Sequence, residues 1–531
     1  MTSTPHDTTG AGPARGAVRV RARVRPAPAP LRVWGTALAI GAAAAVAAYL
    51  LMPAGAARAE LTGDPELTAA VAEAIEGREA QVQGLSVTVV DGDETRAVVG
   101  GTADGTAPIT ADTPFETGSV FKVMTAMTLA DMVETGDTSL DRTLGEVFPD
   151  VAFASPETAS ITLEELATHH SGLPRMPLET GGGLVEAFTL KDPYRGLPPL
   201  EESLASAVPQ TRGEWAYSNF GFAVLGEALA READTPYPDL VRQRVLAPIG
   251  MDGTFILGAG TDAIPAGAAL PHSEAGARAQ PWRAVPWAPA GIGTWTTTAD
   301  MERFVRAVIS GDAPGAAALE PVHDGPVPET RLGLAWMTTD FGDGVRLVQH
   351  SGGTFGSTAF VAVQDDRAVI ALSNSMQVDT AYVGPHVMGA PAVDSVAEAP
   401  LAVAPGTALA MTLPLVLVPA LLPVALMARR RTLIGQRPLD RLRVVSMPIG
   451  AAAVLLAALR TGSWVSTPPV VWALAVGAVA ASAAVGAWYW PRIAGNAARF
   501  RWLHAALFAV SVAASVALGG VMVEALLAAG R

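Results

Sequence analysis

The 531-residue sequence predicts an α+β domain of the α/β sandwich kind, joined to all-α transmembrane segments. In the domain an antiparallel sheet is flanked by helices and carries an inserted helical region. Three observations lead there. β-Branched runs of strand length sit at both ends of residues 60–385. Apolar spacing of three and four fills the stretch between them. Five apolar runs approach the ~20 residues needed to cross a bilayer, in a chain that is 50% hydrophobic.

The N-terminal residues 1–32 carry six Arg and one Asp, and five of those Arg directly precede the apolar run Val33 to Met52. Positive charge before a first span predicts a cytoplasmic N-terminus. Ala57-Arg58-Ala59 resembles a signal-peptidase site, so 33–52 is a signal peptide or a retained signal anchor.

The extracytoplasmic domain spans 60–385. Glu60–Gln83 has helical spacing. Leu85–Val90 reads as a strand, Asp91-Gly92-Asp93 as a turn and Ala97–Val99 as the returning strand. Helices are expected over Ser119–Glu134, Ile161–Thr168, Phe220–Ala230 and Tyr237–Leu246, and from the capping sequence Thr297-Thr298-Ala299-Asp300 to Val308. Strands return at Gly333–Met337, Val345–Gln349, Ala359–Gln364 and Val369–Leu372. Strands at both ends with helices between them favour an antiparallel sheet with an insertion.

A linker, 386–400, leads to four apolar runs within 401–528: Leu401–Met427, Val444–Leu459, Pro468–Trp490 and Leu503–Ala528. Arg429, Arg430, Arg431, Arg437, Arg441 and Arg443 lie between the first two, and Arg492, Arg499 and Arg501 between the last two. Both Arg-rich connections are expected in the cytoplasm, which puts residues 53–400 and the C-terminus outside. Val444–Leu459, rich in small residues, is the run best suited to an interfacial position instead. The spans hold one acid, Glu524, near the end of the last, and a transporter would need more polar groups there.

Composition excludes other classes. Residues 33–400 carry 19 basic and 47 acidic residues, which disfavours nucleic-acid binding. Cysteine is absent, so disulfides, thiolate zinc sites and a cysteine nucleophile are ruled out. His169-His170 has no third metal ligand nearby in sequence. There is no phosphate loop and no Gly-x-Ser-x-Gly elbow. Trp282, Trp287 and Trp295 are candidates for a cleft or for the core.

Chemistry concentrates in three short motifs. In Ser119-Val120-Phe121-Lys122, positions i and i+3 share a helical face, so the lysine can reach the serine. A serine needs a base to take its proton, and a desolvated lysine can be one. Tyr217-Ser218-Asn219 offers a phenol that can relay a proton and an amide that can orient lysine or substrate. His350-Ser351-Gly352-Gly353 follows a strand, and its glycines let a substrate backbone approach closely. Each motif alone is as ordinary as a capped helix or a loop.

Together, in this order, they resemble the beta-lactamase-related serine hydrolases, the penicillin-binding protein and class C beta-lactamase-like family. That family shows Ser-x-x-Lys, then Tyr-x-Asn, then Lys/His-x-Gly. Phe115-Glu116-Thr117-Gly118, Thr168-His169-His170-Ser171-Gly172-Leu173-Pro174, Gly333-Leu334-Ala335-Trp336 and Leu372-Ser373-Asn374-Ser375 agree with it, over about residues 65–380. The resemblance implies a beta-lactamase/transpeptidase-like fold. It implies Ser119 as acylated nucleophile, Lys122 and Tyr217 sharing the acid and base roles, and Asn219, His350, Gly352 and Gly353 binding substrate. The N–H groups of Ser119 and Gly353 form the oxyanion hole in that picture. No metal or organic cofactor is implied. Partners are a small acyl or peptide substrate and the lipid bilayer, with no nucleic acid; the oligomeric state stays open.

Two departures stand out. His350 occupies the position where class C enzymes carry Lys, which points toward D-peptidases and esterases. The four-span bundle suggests a resident membrane enzyme. The expected activity is acyl-enzyme hydrolysis of D-amino-acid peptides, esters or beta-lactam-like substrates. The alternative is a slowly acylating or inactive binding or sensor module coupled to the bundle.

Overall fold

The computed structural model describes residues 25–52, 59–75, 82–177, 189–259, 263–273, 276–391, 405–431, 437–464 and 467–528. Residues 1–24, the Ala57-Arg58 part of the cleavage-like sequence, residues 392–400 of the linker and residues 401–404 of the first apolar run lie outside that set. In chain order the elements used below are α1 (Leu31–Leu50), β1 (Leu61–Gly63), α2 (Pro65–Ala74), β2 (Gly84–Asp91), β3 (Glu94–Gly101), β4 (Phe115–Glu116), α3 (Lys122–Thr135), α4 (Leu163–Ala167) and α5 (Asn219–Glu232). They continue with β5 (Phe255–Ile256), β6 (Thr294–Thr296), α6 (Thr298–Ser310), β7 (His323–Asp324), β8 (Thr330–Leu332), β9 (Met337–Asp340), β10 (Arg346–Gly353), β11 (Thr358–Gln364) and β12 (Arg367–Ser373). Helices α7 (Thr380–Val387), α8 (Pro405–Arg429), α9 (Arg441–Thr461), α10 (Pro469–Tyr489) and α11 (Arg501–Ala528) complete the chain.

Among the described residues, nine antiparallel strands form one sheet in the order β1-β3-β2-β12-β11-β10-β9-β8-β7. Chain-distant strands meet at its centre, where β12 pairs with β2. Both faces are covered. Leu85, Val87, Val89, Phe360 and Val369 pack against α2 and α7, and Val90, Val361, Ile370 and Leu372 face the helical region. Burial on both sides explains why these strands read as nearly continuous apolar runs. The inserted region centres on α3, which is buried from Lys122 to Ala130. Gly136 ends this helix at φ 81°, the left-handed turn that glycine adopts without strain. A small sheet, β4-β6-β5, ties the start of that region to α6.

Several expectations change. Leu61–Gly63, expected as helix, pairs with β3, and the helix starts at Pro65 behind its cap Asp64. Gly333–Trp336, expected as strand, is a turn between β8 and β9. Leu334 and Ala335 send their N–H groups to Ala318 and Ala167 of the helical region, and Ala335 takes φ 62°. Tertiary hydrogen bonds there outweigh strand propensity. The helix expected at Ser119 opens as a 3-10 turn over Gly118–Phe121 and becomes α-helical at Lys122. Tyr237–Leu246 continues from α-helix into a π-turn at Arg242. Met388 and Ala390 remain buried against the sheet, so packing of the domain continues past α7.

Among the described residues, five helices, α1 and α8 to α11, are long and apolar enough to cross a membrane. α1 lies along α10, where a Cβ on Gly41 would fall 2.7 Å from Gly477 O. Its leading segment is tied down as well: Ala29 N–H donates to the Tyr489 hydroxyl at 3.0 Å, and Arg430 to Pro26 O at 3.0 Å.

Candidate active site

The chain turns sharply where β4 runs into the 3-10 turn. Gly118 sits at φ 49°, and a Cβ there would stand 2.6 Å from Gly353 N. A Cβ on Gly352 would stand 2.2 Å from Thr117 O and 2.9 Å from Ser119 N. Glycine at these two positions lets the end of β10 touch the backbone of Ser119. The serine itself is half-buried and borders a cleft of about 440 Å³.

Two motif residues meet at the Ser119 hydroxyl. Lys122 Nζ lies 2.9 Å from Oγ, and the Tyr217 hydroxyl donates to Oγ at 2.6 Å. Lys122 is fully buried and also donates to Asn219 Oδ1 at 2.8 Å and Ala290 O at 2.7 Å. Those two oxygens can only accept, so two lysine protons have fixed destinations. The position facing Ser119 Oγ is where a neutral lysine would direct its lone pair. Asn219 is fixed in turn, because its Nδ2 donates to the Tyr194 hydroxyl at 2.7 Å.

Tyr217 is positioned by His169, at φ 62°. Ala216 N–H donates to His169 O, Ser218 N–H donates to His169 Nδ1 at 3.1 Å, and the two rings lie 4.4 Å apart. Burial, then the neighbouring Lys122, holds the His169 imidazole well below its ordinary pKa, so it stays neutral. His169 serves Tyr217, while the His170 ring is tilted against that of His323 with centres 4.5 Å apart.

His350 is buried on β10 and lines the cleft. Burial and Lys122 bring its pKa down to about 3. Its Nδ1 lies 2.6 Å from Ser351 O, and a carbonyl can only accept, so Nδ1 carries the proton and Nε2 the lone pair. This residue therefore offers an acceptor and not the positive charge of a lysine.

Of the other residues at the site, Trp282 was a cleft candidate in the sequence, whereas Arg175, Tyr194 and the role of Glu116 were not singled out. Arg175 lines the cleft with its guanidinium 5.0 Å from the centre of the Tyr217 ring. Trp282 lines it too, in edge contact with Phe355 and Tyr194, whereas Trp287 and Trp295 belong to the core. Glu116 is 2% exposed and accepts from Trp282 N–H at 2.9 Å and from the Thr354 hydroxyl at 2.9 Å. Burial raises its pKa to about 7, with a further push from Asp192. A charged residue three positions before the serine was the available signal for Glu116. Arg175 stands on a bend and Tyr194 in a turn, positions that no local sequence pattern ties to the site.

The beta-lactamase family model matches residues 67–389, more than half of the chain. The chain belongs to the beta-lactamase family. Proteins similar to it include a hydrolase and a penicillin-binding protein. Unguisins hydrolase ungD' of Aspergillus campestris is 27% identical over 310 residues, 53% of this chain and 56% of that protein. Penicillin-binding protein 4 of Amycolatopsis lactamdurans is 28% identical over 322 residues, 55% of this chain and 80% of that protein. This chain thus spans little more than half the length of the first relative. A solved class C beta-lactamase superposes with TM-score 0.51 at 18% identity, over 62% of this chain and 98% of that one. At that identity the superposition speaks for the fold: the antiparallel sheet with its helical insertion is that of this family.

Proposed function

We propose that this family member is a membrane-anchored, extracytoplasmic serine hydrolase working through an acyl-enzyme at Ser119. Its substrates in this reading are D-amino-acid peptides, esters or beta-lactam-like acyl compounds. The observation that carries the proposal is the convergence of Lys122 Nζ and the Tyr217 hydroxyl, 2.9 and 2.6 Å away, on one cleft-facing serine oxygen. A serine held as an ordinary helix cap would need neither.

In this reaction Ser119 Oγ attacks the substrate carbonyl carbon while its proton passes to the Lys122–Tyr217 pair. The N–H groups of Ser119 and Gly353 receive the oxyanion. The intermediate collapses, the bond to the leaving group breaks, and the leaving atom takes the proton back from the pair. Water then adds to the ester carbonyl, losing a proton to the same pair, and the acid departs as Ser119 regains its hydrogen. Neutral His350 accepts a hydrogen bond from the substrate through Nε2. A substrate carboxylate is met by Arg175.

The bundle arrangement supports the membrane part of the reading. Arg-rich connections around residues 429–443 and 492–501 join one set of helix ends. The catalytic domain touches the opposite ends, through Arg460 of α9 and Glu524 of α11. Positive charge on one side and the domain on the other match a cytoplasmic and an outer face. The packing of α1 against α10 supports a retained anchor.

The test is intact-mass analysis of the full chain in detergent, wild type and Ser119→Ala, after exposure to a fluorescent penicillin and to p-nitrophenyl acetate. An adduct or turnover that vanishes with Ser119→Ala is expected. A folded chain that gives neither would overturn the proposal.

A further inference from the structure

The bundle does more than lie beside the catalytic domain. Arg460, near the end of α9, is 2% exposed. Its guanidinium donates to Thr189 O at 2.9 Å and to Arg278 O at 2.8 Å. These carbonyls belong to two loops of the catalytic domain that run side by side. The loops are joined to each other: Gln280 N–H donates to Leu190 O at 2.8 Å, and Arg283 N–H donates to Asp192 Oδ2 at 2.9 Å. A second bundle contact reaches the same place, Glu524 of α11 to Lys191 at 2.9 Å.

Both loops end at the site. From Asp192 the first continues to Tyr194, whose N–H donates to Asp192 Oδ1 at 2.9 Å and whose hydroxyl accepts from Asn219. Asn219 in turn holds Lys122. The second loop supplies Trp282, whose N–H binds Glu116, and Glu116 holds Thr354, the neighbour of Gly353. One arm therefore reaches the base side of Ser119 and the other the oxyanion side. Leu190, directly after helical Thr189, takes φ 54°, the left-handed conformation with which helices commonly end, so the Thr189 carbonyl held by Arg460 sits where the chain turns toward Asp192.

We infer that Arg460 is a positioning residue for the reaction: the membrane bundle, through this guanidinium, sets the loops that hold Asn219 and Thr354 around Ser119. The inference rests on the function proposed above, and makes the bundle part of the catalytic apparatus instead of a mere anchor. The partners are carbonyl oxygens, so the grip depends on a planar group with donors in two directions. Lysine at this position retains charge and loses the fork.

The experiment uses the full chain in nanodiscs, as wild type, Arg460→Ala, Arg460→Lys, Tyr194→Phe and the Arg460→Ala/Tyr194→Phe double variant. Two readouts are taken: the rate of Ser119 acylation by a fluorescent penicillin, and amide hydrogen exchange. Acylation is expected to fall about 10-fold for Arg460→Ala and for Tyr194→Phe, and less for Arg460→Lys. The double variant should be no slower than the worse single variant, since both changes break one chain of contacts. Exchange at residues 189–195 and 280–283 should speed up at least 10-fold in Arg460→Ala, while that of β2 and β12 stays unchanged. Multiplying acylation defects near 100-fold, or exchange in the two loops unaltered in both Arg460 variants, would overturn the inference. A wild-type chain that never acylates would defeat the proposed function, while the exchange data would still decide whether the bundle holds the loops.

Discussion

Glu116→Gln isolates a buried carboxyl whose ionisation works against the fold. Glu116 is enclosed between Trp282 N–H and the Thr354 hydroxyl, and its pKa stands at about 7 against 4.5 for the unperturbed group. Below pH 4.5 the carboxyl is protonated in both folded and unfolded chains, and the stability it contributes is fully present. Between 4.5 and 7 the unfolded chain releases its proton while the folded one keeps it, so stability falls as pH rises. Above pH 7 both are ionised and the loss is complete. At about 1.4 kcal/mol per pKa unit, the loss is about 3 kcal/mol. Glutamine has the same shape, keeps a carbonyl for Trp282 and can donate to Thr354, but does not titrate. The assay is thermal unfolding of the full chain in detergent, followed by tryptophan fluorescence between pH 4 and 8. Wild type should lose roughly 5 °C relative to Glu116→Gln across that range, because every other titrating group is common to both. Parallel melting curves across the whole range would refute the reasoning and show that solvent reaches Glu116.

Four further outcomes are expected. Tyr217→Phe removes a hydroxyl 2.6 Å from Ser119 Oγ and should lower kcat/KM for p-nitrophenyl acetate by about 10²–10⁴-fold; a change under threefold would take Tyr217 out of the proton path. Gly352→Ala would press a methyl to 2.2 Å from Thr117 O, so acylation should be lost and the melting temperature lowered, by about 1–3 kcal/mol of overpacking; an unchanged acylation rate would mean that β10 can retreat freely. Arg175→Ala should raise KM for a carboxylate-bearing penicillin about 10-fold or more, as loss of a charge-assisted hydrogen bond implies, and leave p-nitrophenyl acetate unaffected; equal effects on both would show that Arg175 acts on Tyr217 alone. The intact mass of chain extracted from membranes should include residues 33–52, given the packing of α1 on α10; a mature N-terminus after Ala59 would show that this packing does not survive export.

Much of the outline was legible in the sequence because it depends on local spacing. Five helix lengths of apolar residue, the alternation around Asp91-Gly92-Asp93 and the Ser-x-x-Lys step are one-dimensional patterns with direct structural meaning. Where expectation missed, a long-range contact had replaced a local preference. Leu61–Gly63 became a strand because β3 offered an edge, and Gly333–Trp336 became a turn because Ala318 and Ala167 took its hydrogen bonds. The tryptophans show the same division: composition made all three candidates for a cleft, and packing left only Trp282 there.

The sequence by itself determined which chemical groups are present and in what order: a serine with a lysine one turn on, a tyrosine and asparagine, a glycine-rich strand end and apolar helices flanked by arginine. Tertiary structure alone decided how they are used. It brought Tyr217 and Lys122 to one oxygen across 98 and three residues of chain. It kept His350 neutral by burying it beside Lys122, and put Glu116 behind Thr354, the neighbour of Gly353. It set Arg460 of the long apolar helix α9 against Thr189, 271 residues away. The physical reason is that residue type and spacing are properties of the chain, whereas burial, charge state and hydrogen-bond partners depend on what other parts of the chain are brought within a few ångströms.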